Sequence, residues 1–367
     1  MVDLQSSRNS LELMKIKSYK GEYEINFTDD FIASLNGVVQ EGDVLLFDAK
    51  VSELYGNRFS AFEKTNTFIV IPSGERSKSF DAAKELIEKL MEIGFKRNHR
   101  LIAIGGGIIQ DAVAFVASIL FRGVEWFFVP TTLLAQGDSC IGSKTSVNFG
   151  NCKNLLGGFH PPSKIYIDSV FLDTLIEEEV RSGLGEMLHF FMISGRQDFE
   201  LFRDIFRDNF KDSKSIKRLT QRSLAIKKEI IERDEFDQGP RKVFNFGHSF
   251  GHALEGITNY QIPHGIAVSY GMDIANNVSV YLGLMEEHIC FESRELLSDI
   301  WRGTDFPQIN IKHYMDLLSK DKKNVGKKLN LILSRGFGDM LMHEVSPDLE
   351  FVSVVDQCMK GYFEETV

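Results

Sequence analysis

No stretch of this 367-residue chain approaches the eighteen or so consecutive apolar residues that a membrane-spanning helix needs. Its amino terminus also lacks the basic-then-apolar pattern of a secretion signal. These absences argue against a helical membrane protein and lead to the expectation of a cytoplasmic one. Positive charge is also short. Lys and Arg number 42 against 52 Asp and Glu, leaving a formal charge of -10. A general nucleic-acid binder is thereby disfavoured, because a phosphate backbone needs a positive surface; a small anion can still be held in a local basic pocket. Cysteine is scarce too: Cys140, Cys152, Cys290 and Cys358 show no paired metal-ligand spacing and are too few for a disulfide framework, so they read as reduced structural thiols. What remains is a soluble globular composition, 43% hydrophobic and 26% charged, in a chain long enough for two domains.

The first half alternates β-rich runs with helical patterns, as a parallel sheet with crossover helices does. Candidate strands are 43–48 (DVLLFD), 67–71 (TFIVI), 100–104 (RLIAI), 125–129 (EWFFV) and 164–167 (KIYI). In SFDAAKELIEKLMEIGF, apolar Ala82, Leu86, Leu90 and Ile93 have the spacing of an amphipathic helix, with Gly94 as its stop. After about residue 174 the texture changes to long charged helical patterns such as IKRLTQRSLAIKKEIIERDEF. The fold class expected is therefore α/β plus all-α: an N-terminal Rossmann-like nucleotide-binding domain over 1–178, with 1–15 as a polar extension, and a helical metal-binding domain over 179–367. KLNLILSRGFGDMLMHEV reads as a hairpin packed back on the first domain.

Gly105, Gly106 and Gly107 follow RLIAI and precede the helical IIQDAVAFVASIL. A strand, a glycine turn and a helix start together make an anion site, since glycine lets the backbone approach a phosphate and the helix end offers free N–H groups. The spacing is not GxGxxG, and such turns also serve tight packing. VPTTLLAQGDS repeats the geometry one strand later, with the hydroxyls of Thr131 and Thr132.

In FNFGHSFGHALEGITNYQIPHG, His248 and His252 share a helix face and His264 follows a loop with Pro263. The small neighbours Gly247, Ser249, Gly251 and Ala253 allow a bland reading of close packing with hydrogen-bonded histidines. Glu186 in RSGLGEMLHFF shifts the balance, because two imidazoles and one carboxylate make an open zinc site. His189, three residues on, completes an E-x-x-H pair, which is also a ligand spacing. The residues alone leave four histidines competing. Around them, Lys144, Lys153, Asn154, Lys227, Arg241, Asn245, Lys322 and Lys323 suggest a pocket for an anionic substrate, although any one cation is more often a solvated surface charge.

GGGIIQD, FRGVEWFFVPTTLLAQGDSCIGSKTSVN, KNLLGGFHPP, GLGEM, NFGHSFGHALE, PHG and DKK occur in the order and spacing of 3-dehydroquinate synthase and the other sugar phosphate cyclases, a resemblance covering roughly residues 40 to 340. It implies a homodimer, with zinc, or cobalt in its place, held by Glu186, His248 and His264, and with His252 beside the leaving phosphate. It implies NAD on Gly105, Gly106, Gly107, Asp111, Thr131 and Thr132, with Asp48, Glu75 and Lys78 at the adenosine end and Lys144, Lys153, Phe171 and Thr174 also on the cofactor. Substrate contacts would come from Asp138, Lys144, Asn154, His189, Lys227, Arg241, Asn245 and Lys322, with Arg122 reaching the partner subunit's site. The implied chemistry is transient oxidation of a zinc-polarised hydroxyl by NAD, phosphate elimination, return of the hydride, ring opening and aldol closure.

The chain departs from that pattern at His189, where the family usually has lysine. Ser143 replaces a glycine before Lys144, Gln110 stands where glycine is common, and Ile266 replaces a Glu that would flank His264. Lys227 and Arg241, which handle a carboxylate in the family, favour 3-deoxy-arabino-heptulosonate 7-phosphate as substrate. Sedoheptulose 7-phosphate or glucose 6-phosphate is the alternative; further away stand a metal-dependent polyol or glycerol phosphate dehydrogenase and a catalytically silent relative.

Overall fold

The computed structural model describes residues 13–150, 152–320 and 328–366. The chain divides into two compact units, the first comprising Met1–Leu175 with Lys228–Phe236 and the second Ile176–Lys227 with Asp237–Val367.

The first unit runs β1 (Leu13–Ser18), β2 (Gly21–Thr28), α1 (Phe31–Asn36), β3 (Val44–Asp48), α2 (Ala49–Tyr55), β4 (Thr67–Ile71), α3 (Phe80–Glu92), β5 (Leu101–Gly105), α4 (Gly107–Ile119), β6 (Trp126–Pro130), β7 (Lys144–Phe149), β8 (Cys152–Phe159) and β9 (Lys164–Asp168). A seven-stranded sheet is ordered β1-β2-β9-β6-β5-β3-β4, parallel except for the β1–β2 hairpin. Strands β5 and β6 are buried along their whole length, which is why they read as unbroken apolar runs rather than alternating ones. The Ser79 hydroxyl caps the Ala82 amide to start α3, and that helix buries Ala83, Leu86 and Leu90. Ile93 lies past its end and is exposed, and Gly94 turns the chain at φ +74°.

Two hairpins escape the sequence reading. β1 begins at Leu13, inside the stretch expected as a polar extension. Its two-residue turn pairs Ser18 with Gly21, and Ile16, Tyr23, Ile25 and Phe27 are buried on alternate positions. β7 and β8 form a separate two-stranded sheet from Gly-, Asn- and Lys-rich sequence that carries little strand signal.

The second unit contains α5 (Glu177–Ser194), α6 (Arg196–Asn209), α7 (Ser213–Ile231, whose last residues belong to the first unit), α8 (His248–Ile257), α9 (His264–Tyr281), α10 (Glu287–Trp301), α11 (Ile311–Ser319), β10 (Leu329–Gly336), β11 (Asp339–Val345) and α12 (Leu349–Thr366). α9 is buried from Gly265 almost to its end, the signature of a helix enclosed by others.

Two expectations need correction. The β10–β11 hairpin belongs to the second unit and not the first: Leu329, Leu331 and Leu333 are buried, and the Ser334 amide donates to the Ser279 hydroxyl of α9. Nor is the division a single cut near residue 178. Residues 228–236 return to the first unit, where Glu232 accepts from the Lys17 amide at 2.8 Å and Glu235 from the Ser18 hydroxyl at 2.6 Å.

Candidate metal centre and nucleotide-binding loops

In the second unit, helix packing through glycines brings the charged groups together. A Cβ on Gly265 would lie 1.8 Å from the Ser182 carbonyl oxygen, and one on Gly185 would lie 2.3 Å from the Gly265 carbonyl oxygen, so α5 and α9 touch backbone to backbone. α8 and α9 meet in the same way at Gly271, where a Cβ would stand 2.0 Å from the Gly247 carbonyl oxygen. Gly247 is glycine for two reasons: it has φ +76°, and a Cβ there would meet Met272 Cγ at 2.5 Å. Each contact sits beside a candidate ligand: Gly185 beside Glu186, Gly265 beside His264, Gly247 beside His248.

Glu186 Oε1 lies 3.4 Å from His248 Nε2, and Glu186 Oε2 lies 3.5 Å from His264 Nε2. One ligand atom from each residue falls within 4.8 Å of the others. His248 Nδ1 is 3.2 Å from the Phe246 carbonyl oxygen, and His264 Nδ1 is 3.1 Å from Glu255 Oε2. In the tautomer in which each Nδ1 donates, the one a bound cation requires, the Nε2 lone pairs face the Glu186 carboxylate. Oxygen Oε2 of Glu186 is buried without a hydrogen bond. Burial works against the charge on Glu186, but His248, through charge and a hydrogen bond, and after it His264 outweigh that effect and hold the pKa below the ordinary carboxylate range. A buried carboxylate facing two imidazole lone pairs, with one oxygen unsatisfied, fits a divalent cation of the zinc type.

His252 is exposed one turn along α8, its ring stacked on that of His264 at 5.7 Å. With Glu255 and His264 it forms a second group of closely spaced ligand atoms. His189 is fully buried, with its ring 5.0 Å from those of His248 and Phe190 and stacked on Phe246. Among the described residues, neither of its nitrogens has a hydrogen-bond partner. Burial, reinforced by His248, pushes its pKa down to about 3, so the ring is neutral at physiological pH.

Lys227 and Arg241 are buried, an uncommon state for these residues. Lys227 Nζ stands 5.7 Å from the Phe190 ring centre. Arg241 lies in the 3₁₀ turn Pro240–Asn245 that leads into Phe246, and Asn245 Nδ2 there donates to the Lys242 carbonyl oxygen. Lys227, the least distinctive cation by sequence, occupies the buried stripe Thr220, Ser223, Leu224, Lys227, Ile231 of α7; a lysine at the apolar phase of an amphipathic helix was the signal that could have found it. Lys322 and Lys323 lie outside the described residues.

In the first unit, a Cβ on Gly105 would be 2.6 Å from Ile109 Cγ1 and one on Gly106 would be 2.9 Å from Thr132 Cγ2, whereas Gly107 faces open space. Gly106 begins α4 with no side-chain cap. The Thr131 amide donates to the Gly105 carbonyl oxygen, and the Thr132 hydroxyl accepts from the Ala135 amide at the turn that carries Asp138. Lys78 pairs with Asp111, whose pKa burial raises against the opposing pull of that lysine. Glu75 accepts from Asn148 Nδ2 at 2.8 Å and pairs with Lys153 at 3.5 Å. Asp48 caps α2 through Oδ1, which also accepts from Ser73. Lys144 and Asn154 are exposed on β7 and β8, and Asn154 sits at φ +50°. Arg122 falls in a run of positive φ from Phe121 to Gly123.

Of two further expected cofactor residues, one has its side chain in the core. The Phe171 ring is buried between Phe31 and Tyr55, whereas Thr174 is exposed, with its hydroxyl bonded to that of Tyr55 at 3.0 Å. The departures also find roles. Gln110 exchanges two hydrogen bonds with Ser139, clasping α4 to the turn of Asp138. Ser143 takes φ +65°, where glycine would be unstrained, and its hydroxyl donates to Glu235. Ile266 is fully buried; the carboxylate flanking His264 comes from Glu255, which the sequence reading missed.

Residues 68–182 match the 3-dehydroquinate synthase N-terminal family, and residues 183–324 match the 3-dehydroquinate synthase C-terminal family. The 3-dehydroquinate synthase of Thermoanaerobacter sp. (strain X514) is 34% identical over 343 residues, covering 89% of this chain and 95% of the relative. That of Thermodesulfovibrio yellowstonii is 36% identical over 304 residues, covering 81% and 84%. Among solved structures, a 2-deoxy-scyllo-inosose synthase with carbaglucose-6-phosphate, NAD+ and Co2+ superposes with a TM-score of 0.82 at 22% identity, covering 95% of this chain and 99% of the other. The 2-epi-5-epi-valiolone synthase of Streptomyces hygroscopicus subsp. jinggangensis, solved with NAD+ and Zn2+, gives a TM-score of 0.82 at 24% identity, covering 94% and 97%. These likenesses confirm the fold of a Rossmann-like sheet and a helical part.

Proposed function

The chain belongs to the 3-dehydroquinate synthase family, and from that premise we propose that it is an NAD- and zinc-dependent cyclase converting 3-deoxy-arabino-heptulosonate 7-phosphate to 3-dehydroquinate and phosphate. The observation that carries the substrate is the pair of buried cations, Arg241 and Lys227, in the unit that holds the Glu186, His248 and His264 cluster. A buried guanidinium is suited to a bidentate carboxylate, the group that the heptulosonate carries and the other two sugar phosphates lack.

Glu186, His248 and His264 would hold the divalent cation; Gly105, Gly106, Gly107, Thr131, Thr132, Asp111, Lys78, Glu75 and Asp48 would hold the dinucleotide. When bound, the nucleotide supplies a reversible hydride acceptor and the metal a Lewis acid for the hydroxyl being oxidised. The chain's own residues bind and orient. Arg241 and Lys227 bind the carboxylate end, with Asn245 on the same turn as Arg241 contributing to the hydroxyls. His252, exposed beside His264, is placed to hold a proton near the departing phosphate. Arg122 is assigned to a neighbouring subunit's site in a homodimer, which light scattering would test, and the enzyme is assigned to the cytoplasm.

A second reading follows from His189. A neutral imidazole in place of a lysine removes one cation from the site, which favours a less anionic sugar phosphate such as sedoheptulose 7-phosphate or glucose 6-phosphate. The test is phosphate release by the purified protein with zinc, NAD and each of the three sugar phosphates, followed with absorbance at the NADH band. Release from the heptulosonate phosphate without accumulating NADH is expected. Release from one of the other two alone would move the protein to the second reading, and stoichiometric NADH would make it a dehydrogenase.

A further inference from the structure

We infer that Glu255 is a positioning carboxylate for the metal centre, fixing the tautomer and orientation of His264. This inference rests on the metal assignment proposed above. His248, His252 and Glu255 stand at i, i+4 and i+7 on α8, so one stripe of that helix faces the start of α9. Glu255 Oε2 lies 3.1 Å from His264 Nδ1, while the opposite ring nitrogen faces Glu186 at 3.5 Å. One imidazole thus spans two carboxylates, one through each nitrogen. A carboxylate on Nδ1 holds the proton there, keeps the Nε2 lone pair turned to the ion and raises the basicity of that nitrogen. His248 receives the same service from a neutral group, the Phe246 carbonyl oxygen.

The contrast between the two histidines has a physical reason. His248 sits on a helix start locked by Gly247 against Met272, and its side chain is only 13% exposed, so its ring has few alternatives. The side chain of His264 is 34% exposed, and its flank is apolar at the fully buried Ile266. On this less enclosed ring, Glu255 supplies the carboxylate contact at Nδ1 that selects the tautomer and the ring orientation.

The experiment measures zinc affinity of the metal-free protein by competition with a chromophoric chelator, needing neither substrate nor turnover, and the absorption spectrum of the cobalt-substituted form. Glu255→Gln is expected to weaken zinc binding by about 10- to 100-fold, the range for such partners, and to shift the cobalt bands, with the metal-free melting temperature unchanged. Glu255→Asp, which keeps the charge on a shorter arm, recovers part of the loss and serves if the glutamine variant does not fold. His248→Ala and His264→Ala are the controls. If they abolish binding while both Glu255 variants match wild type, this inference fails and the metal assignment stands; if they too bind zinc normally, both fail. A second zinc equivalent lost in Glu255→Gln, with the first unchanged, would make Glu255 a ligand of a separate ion and overturn the inference.

Discussion

Both nitrogens of His189 lie in the interior without a partner among the described residues, walled by Phe190, Phe246 and His248. A buried polar group in that state costs stability unless something bound supplies the missing bond. A substrate hydroxyl would do so, and His189 is not among the residues whose ligand atoms cluster with Glu186. His189→Ala should therefore lower kcat/KM for the true substrate by tenfold or more, roughly what loss of one buried hydrogen bond implies, while leaving zinc affinity far closer to wild type than His248→Ala does. Equal loss of zinc in the two variants would make His189 a fourth ligand. The glycines make an opposite pair of cases. Gly265→Ala drives a methyl into the Ser182 carbonyl, with backbone on both sides and no flexible group to yield. It should cost about 3 kcal/mol or more and depress the melting temperature of the metal-free protein. Gly107→Ala meets nothing within 4 Å. Its melting temperature should stay at the wild-type value while NAD affinity, read by fluorescence titration, falls, because what a methyl spoils there is the approach of a phosphate and not the fold.

Helices α5, α8 and α9 act as a clamp whose teeth are glycines, and this explains why small residues and candidate ligands alternate along GLGEM, NFGHSFGH and PHG. The packing of those small residues is what delivers the imidazoles to Glu186. A separate tie pins α6 to α7. Arg222 reaches Asp198 through two 2.7 Å contacts, and Ser194 also donates to that carboxylate. Burial favours the neutral form of Asp198, but these donors prevail and its pKa falls below the ordinary aspartate value. A depressed folded-state pKa means that the tie contributes above the unfolded pKa of about 4 and is lost as pH falls through the lower folded value. Urea unfolding should show Asp198→Asn less stable than wild type by about 1 kcal/mol at pH 7, a modest figure because Arg222 is more than a third exposed. The gap should close as pH falls below the ordinary aspartate value and through the lower folded one; a constant gap would show that the substitution acts through packing and not charge.

At the scale of the whole chain, the alternation of strand and helix and the later charged helical texture were legible before any coordinates, because periodicity is local and survives in the order of residues. All five strands of the central sheet read from the sequence lie within one residue of their observed ends. The β1–β2 and β7–β8 hairpins were not legible: half-polar, glycine-containing strands depend on a neighbour for their pairing. The return of residues 228–236 to the first unit depends on carboxylates, Glu232 and Glu235, meeting amides and hydroxyls some two hundred residues away, which no window of sequence displays. By itself the sequence determined the family, the α/β-then-helical order and the pool of candidate ligands, since motifs and their spacing are properties of the chain. Only the tertiary structure decided that Glu186, His248 and His264 converge, that Glu255 backs one of them, that Lys227 is buried and that Phe171 belongs to the core. Those facts depend on which helix faces meet, and the glycine contacts that set the meeting are made between segments distant in sequence.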